Sequence, residues 1–176
     1  MILSVSEPAA LILNRLGQEG INAWVVGGAV RDSLAADVAD DGQSVRTAAD
    51  IDILVLSDFA RLQSLFADRK VKVAGRVFPV CLVDGVEVSV PRRNPSGRNS
   101  RVSDRLTADL ASRDLTINAM AWDPHTHDII DPFEGRKDLK NRVVRFTGNP
   151  DDRILEDPVR MVRACRFAAR FNGDIE

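Results

Sequence analysis

A chain of 176 residues, 44% of them hydrophobic, is long enough for one domain with a real core, or for one domain and part of another. Its net charge of −2 argues against a protein that merely coats nucleic acid, and no apolar run reaches the roughly 20 residues of a membrane span. Cys81 and Cys165, without a CxxC or nearby histidine spacing, exclude a disulfide framework and predict a reducing, cytoplasmic setting. The start of the chain lacks a basic segment followed by an apolar one, so no secretory signal is read there. Charge is unevenly spread: residues 1–60 hold nine acids against three bases, which leaves the remainder at +4. An acidic site facing a basic surface suits a metal-dependent enzyme with a polyanionic substrate.

Ser6 can cap a first helix, with Glu7 and Pro8 in its opening turn, Ile12, Leu13 and Leu16 on its buried side, and Gly20 closing it. A strand is predicted over 21–26. It ends in Gly27-Gly28 and runs into a helix over 29–36. Strand, paired glycines and helix start together form an anion-binding corner, where bare N–H groups and the positive helix end point at one spot. Paired glycines are equally at home in a plain tight turn. Residues 37–49 are small and polar and predict a loop.

The central stretch is Asp50-Ile51-Asp52-Ile53-Leu54-Val55-Leu56, whose aliphatic run predicts a strand. Alternate side chains share a face, so Asp50 and Asp52 project the same way at its start. Two ionised carboxylates side by side need a compensating cation or shared protons, and Mg²⁺ is the simplest compensation. A solvated strand end with two acids is the alternative. Phe59, Leu62, Leu65 and Phe66 then give a helix, and strands are expected over 71–73 and 77–83. Asp84-Gly85 signals a hairpin, and a strand over 86–90 pairs back. Its Val86, Val88 and Val90 share one face and Glu87 takes the other. Glu87 is thus either a third carboxylate beside the first two, if the strands are neighbours, or an exposed strand glutamate.

Residues 91–105 hold five arginines and read as a basic loop fit for phosphates, or as ordinary solvated surface. A helix is expected over 107–121, short strands at 129–130 and 143–146 with a turn at 131–135 between them, and an amphipathic helix over 158–171. In the last helix Met161, Ala164, Ala168 and Phe171 form the apolar side, while Arg163, Arg166 and Arg170 recur at helical spacing. Glu156 and Asp157 sit at its positive end. Asp157 and Arg160, three apart, offer an acceptor and a donor fork that can read a nucleobase edge, or form a local ion pair. His125 and His127 flank a threonine in a polar turn and lack the further ligands zinc requires.

Five motifs in order carry a resemblance: Gly27-Gly28-Ala29-Val30-Arg31-Asp32, Asp50-Ile51-Asp52, the stretch from Arg113 to Ala121, the stretch from Asp131 to Leu139, and the stretch from Glu156 to Ala164. Together they resemble the class II tRNA nucleotidyltransferase (CCA-adding enzyme) and bacterial poly(A) polymerase family. The resemblance implies an α/β (α+β) fold, a polymerase-β-type nucleotidyltransferase head with a mixed sheet flanked by helices, over 1–147. The start of an all-helical neck follows over 148–176. It implies transfer of AMP or CMP from ATP or CTP to an RNA 3′ end, tRNA first among candidates, with Mg²⁺ and without a membrane.

On that resemblance Asp50 and Asp52 hold two metal ions, with Glu87 a candidate third catalytic acid. Gly27, Gly28, Arg31 and Asp32 face the triphosphate. Arg113, Asp114 and Asn118 contact the ribose and shape the pocket. Glu156, Asp157 and Arg160 select the base, and Arg163 supports them. Two departures stand out: Ser112 replaces the first of two family arginines, and the loop before Asp50 is longer than the family's usual one. The family also continues beyond the last helix into further helical regions that grip RNA. A non-catalytic nucleotide- or RNA-binding module of the same fold, and a transferase acting on a small acceptor, are the competing readings.

Overall fold

The structure, a computed structural model, describes residues 3–39, 50–75, 80–91 and 100–176. The polar loop from residue 40 onward, residues 77–79 of the expected second strand, and 92–99 of the basic loop lie outside the described residues. Helix α1 (Glu7–Gln18) starts at Ser6 and Pro8 and buries Ala9, Ile12, Leu13 and Leu16, a stripe at helical spacing. Strand β1 (Ala23–Val26) is buried at all four positions, and helix α2 (Gly28–Ala39) follows after a single residue. Strand β2 (Asp52–Val55) is shorter than the expected 50–56; Asp50 stands exposed on a bend ahead of it.

Helix α3 (Phe59–Leu65) is capped by Asp58, whose carboxylate accepts the Arg61 N–H at 2.7 Å. Strands β3 (Val71–Ala74), β4 (Val80–Val83) and β5 (Val86–Ser89) come next. The last two are joined by Asp84-Gly85, both at positive φ as a tight hairpin of this length demands. Helix α4 (Val102–Ala111) leads to a 3₁₀ turn (Thr116–Asn118), strands β6 (Ala121–Trp122) and β7 (Ile129–Ile130), and helix α5 (Gly135–Asn141). Strand β8 (Val143–Val144), helices α6 (Pro150–Glu156) and α7 (Val159–Phe171), and strand β9 (Asp174–Ile175) complete the described chain.

Seven strands form one mixed sheet in the order β3-β4-β5-β2-β1-β6-β7, parallel only between β2 and β5. β1 and β2 lie at its centre and are apolar on both faces because both faces are covered. Ala23, Val25, Ile53 and Val55 join the larger core with residues of α1, α2, α3, α5 and α7. Trp24, Val26 and Leu54 look the other way, onto Leu106 and Leu110 of α4. At roughly 25 cal/mol per Å² of apolar surface, these two layers are the main source of stability.

Three expectations need correction. The helix predicted over 107–121 begins at Val102, inside the stretch read as basic loop, and ends at Ala111. Beyond it the backbone bonds elsewhere: Thr116 N–H donates to Arg145 O at 2.9 Å and Thr147 N–H to Asp114 O at 3.0 Å. Tertiary pairing there overrides helix propensity. Helix α5 was not anticipated; Asp131 Oδ1 and Oδ2 accept the N–H groups of Gly135 and Arg136 at 2.7 and 2.9 Å and so start it. Gly135 lets α5 lie flat on the 3₁₀ turn, since a Cβ there would collide with the Thr116 carbonyl. Helix α6 was also missed, although Asn149 caps it at 2.9 Å and Pro150 opens it.

Candidate active site

The Gly27-Gly28 corner forms because β1 must hand over to α2 within one residue. Gly27 has φ +72, a conformation costly for any other residue, and its N–H donates to Met120 O at 3.3 Å. A Cβ on Gly27 would lie 2.9 Å from Arg113 Nη1 and 3.6 Å from Asp52 Oδ2. The corner is therefore bare backbone, with a carboxylate on one side and a guanidinium on the other.

Asp52 reaches it by sheet register. Val26 of β1 pairs with Asp52 on one side, and Glu87 of β5 pairs with it on the other. Partners across a sheet share a face, so Glu87 and Asp52 point to the same side, that of Leu54 and α4. Glu87 is exposed and Asp52 half-buried. Among the described residues no group of three or more His, Cys, Asp or Glu is gathered tightly enough to hold a metal unaided.

A cavity of about 650 Å³ opens in front of the corner. Gly27, Gly28, Arg31 and Asp52 form its floor; Ser112, Arg113, Asp114 and Asn118, from the end of α4 and the 3₁₀ turn, form one wall. The facing wall is the start and middle of α7, with Asp157, Arg160 and Arg163 among its lining residues. Asp50, Glu87, Asp32 and Glu156 do not line it. Asp32 sits just behind, accepting from Arg31 Nε at 2.8 Å and pairing with Arg170 of α7 at 3.1 Å. Glu156 pairs with Arg160 at 2.9 Å and Arg153 at 3.3 Å. The Arg160 ion pair thus goes to Glu156, while the Asp157 carboxylate accepts the Val159 N–H at 3.0 Å and opens α7. Ser112 donates to Asp109 O at 2.7 Å at the end of α4.

The two walls are tied by a polar chain that is buried at Arg31, Asn118 and Asp114 and exposed at Arg163. Arg31 Nη1 donates to Asn118 Oδ1. Asn118 Nδ2 donates to Asp114 Oδ1 at 3.0 Å, and Arg163 Nε donates to Asp114 Oδ2 at 2.6 Å. Burial alone would raise the Asp114 carboxyl, but the hydrogen bonds from Asn118 and Arg163, the Arg163 charge and the Leu115 N–H outweigh it. They hold the group below the usual carboxylate range. Five residues lining the cavity were not among the candidate site residues: Ser112, Val159, Arg166, Phe167 and Arg170. For Arg166 and Arg170 the signal was the recurrence of arginine at helical spacing after Arg160 and Arg163.

Taken as a whole, a mixed sheet with a carboxylate at its mouth, a glycine corner and an arginine-rich facing helix defines a nucleotidyltransferase-type head. Residues 23–145 match the family model described as the poly A polymerase head domain, and the chain belongs to that family. It is 33% identical over 189 residues to poly(A) polymerase I of Escherichia coli O6:H1, covering 94% of this chain and 38% of that protein. It is 34% identical over 174 residues to the CCA-adding enzyme of Ligilactobacillus salivarius, covering 94% of this chain and 40% of that one. Among solved structures, the CCA-adding enzyme of Bacillus stearothermophilus in complex with CTP superposes with a TM-score of 0.73 at 32% identity, over 97% of this chain and 40% of that one. A tRNA nucleotidyltransferase complexed with a primer tRNA and an incoming ATP analog gives 0.67 at 30% identity, over 94% and 46%. The chain spans about two fifths of the length of the first of these relatives. The mixed-sheet head expected from the resemblance is the fold observed.

Proposed function

We propose that this chain is the catalytic head of a template-independent RNA nucleotidyltransferase, adding AMP or CMP from ATP or CTP to an RNA 3′ end, tRNA first among acceptors. The head ends near residue 147, and 148–176 begin a helical neck. The observation that carries the reading is Asp52 at the Gly27-Gly28 corner, inside a cavity whose far wall presents Asp157 and Arg160.

The donor set suits Mg²⁺. Asp52, its in-register neighbour Glu87 and the preceding Asp50 offer only carboxylate oxygens, which this hard cation takes. Mg²⁺ is commonly held by one or two carboxylates together with waters and substrate phosphates, so an all-protein cage is not required. Asp50 and Asp52 would hold the ion, which would supply neutralisation of phosphate charge and a more acidic 3′-hydroxyl.

The chain's own residues do the rest. The Gly27-Gly28 backbone and Arg31 bind the triphosphate, with Arg113 beside it and Asp114 and Asn118 shaping the wall where the ribose lies. Asp157 and Arg160 read the base edge, with Glu156 holding the Arg160 fork at 2.9 Å and Arg163 braced on Asp114. In the transfer, the RNA 3′-oxygen bonds to the α-phosphorus and gives its proton to solvent water, while the bond from that phosphorus to the bridging oxygen breaks and pyrophosphate leaves. Such a reaction depends on alignment and charge stabilisation more than on a protein nucleophile. The relatives include both CCA-adding enzymes and a poly(A) polymerase, which keeps poly(A) synthesis on other RNAs as the second reading. A cytoplasmic location fits either; among the described residues no helix is long and apolar enough to cross a membrane.

The test is incorporation of labelled ATP and CTP into a tRNA lacking its 3′ end, by the longest form of the chain, with Mg²⁺. Incorporation that Asp52→Ala reduces by at least about 10³-fold is expected for loss of a metal-binding carboxylate. Full activity in Asp52→Ala sinks the assignment.

A further inference from the structure

We propose that Phe167 is a positioning residue for nucleotide phosphates, seating the Arg31 guanidinium against the Gly27-Gly28 corner. This role presupposes the nucleotide-transfer function of the same cavity and assigns it a residue that contacts no reacting atom.

Arg31 is buried, and three contacts fix it. Its Nε donates to Asp32 Oδ1 at 2.8 Å, its Nη1 donates to Asn118 Oδ1, and its Cζ lies 4.5 Å from the centre of the Phe167 ring. The remaining nitrogen, Nη2, stands 3.4 Å from where a Gly28 Cβ would be, facing the corner. Hydrogen bonds in the guanidinium plane set where its edges go but resist tilting only weakly. A ring face blocks the tilt, and its quadrupole attracts the cation, which is itself buried. Phe167 is itself 3% exposed, so the ring is held by the core.

The same ring carries the Arg166 guanidinium at 4.8 Å, and Arg166 also lines the cavity. The Asp32 carboxylate offsets the Arg31 charge, and the Arg166 charge beside the same ring favours an anionic ligand such as a chain of phosphates. Phe167 lies on α7, the helix that also carries Arg160 and Arg163. The phosphate corner and the far wall are thereby joined through a ring contact as well as through Asp114.

Direct titration of the 176-residue chain with ATP and with AMP, in Mg²⁺, tests this alongside a thermal melt. Phe167→Leu keeps an apolar side chain of similar bulk without a ring face, and Phe167→Tyr keeps the face. Phe167→Leu is expected to weaken ATP by about tenfold and AMP by less than about twofold, with Phe167→Tyr within about twofold of the parent for both. Unchanged ATP affinity in Phe167→Leu overturns the proposal, as do equal losses for ATP and AMP. Should Phe167→Leu melt below the assay temperature, Phe167→Met carries the same comparison. A parent chain that does not bind ATP removes the transfer function first, an outcome separate from an unaffected variant.

Discussion

Asp114→Asn isolates the polar chain that ties the two walls of the cavity. The carboxylate accepts the Leu115 N–H at 2.9 Å, Asn118 Nδ2 at 3.0 Å and Arg163 Nε at 2.6 Å. An amide of the same shape keeps one oxygen for the first two bonds but turns an N–H₂ donor toward Arg163. The net loss is one hydrogen bond to a charged group, about 1.5–3 kcal/mol, and a donor left facing a donor. Arg163 is 44% exposed at its side chain, so water recovers part of this. A destabilisation of about 1–2 kcal/mol at neutral pH follows, or roughly 2–8 °C in Tm for a chain of this size. The pH dependence gives a second check. Because the folded-state pKa of Asp114 is lowered from 3.8, its contribution is complete above that value and lost as pH falls through the folded-state pKa. Urea midpoints of parent and variant between pH 7 and pH 3 should therefore differ by a constant amount until about pH 4 and converge below it. A variant as stable as the parent at pH 7, or a gap that widens on acidification, refutes the reasoning.

Gly27→Ala combines a left-handed backbone, about 1–2 kcal/mol for an L residue, with a methyl 2.9 Å from Arg113 Nη1. ATP binding by titration should fall at least about tenfold, and unaltered binding would show the corner is not used. Asp138 is 1% exposed and accepts Thr116 Oγ1 at 2.6 Å together with Arg145 Nε at 3.1 Å and Arg145 Nη2. Asp138→Ala strands these partners and should cost about 2–4 kcal/mol in a denaturant melt; a cost below about 1 kcal/mol contradicts that account.

The parts of the site that follow from local rules were legible. The aliphatic run after Asp52 dictated a buried central strand, and Gly27-Gly28 between apolar strand and helix dictated a bare corner. Alternation along Val86, Glu87 and Val88 put Glu87 on the side of Asp52 once β5 proved to be the parallel neighbour of β2. What could not be read was pairing across distance. Arg31, Asn118 and Arg163 lie on three separate elements, with Asp114 in the bend before the 3₁₀ turn, and no local pattern announces that Arg31 and Arg163 meet the Asp114–Asn118 pair. Arg160 pairs with Glu156, four residues before it, and the Asp157 carboxylate accepts the Val159 N–H. The stretch after Ala111 reads as helical from its residue types, but the Thr116 and Thr147 N–H groups donate to Arg145 O and Asp114 O across the fold instead. The start of helix α6, by contrast, carries a local signal in Asn149-Pro150 followed by Asp151 and Asp152.

A crystal structure of the chain with Mg²⁺ and a non-hydrolysable ATP analogue tests the central claim most directly. Phosphates are expected within hydrogen-bonding reach of the Gly28 backbone and Arg31, with Asp52 coordinating the ion and the adenine edge against Asp157 and Arg160. Phosphates bound elsewhere, or an Asp52 carboxylate turned away from the ion, would contradict it.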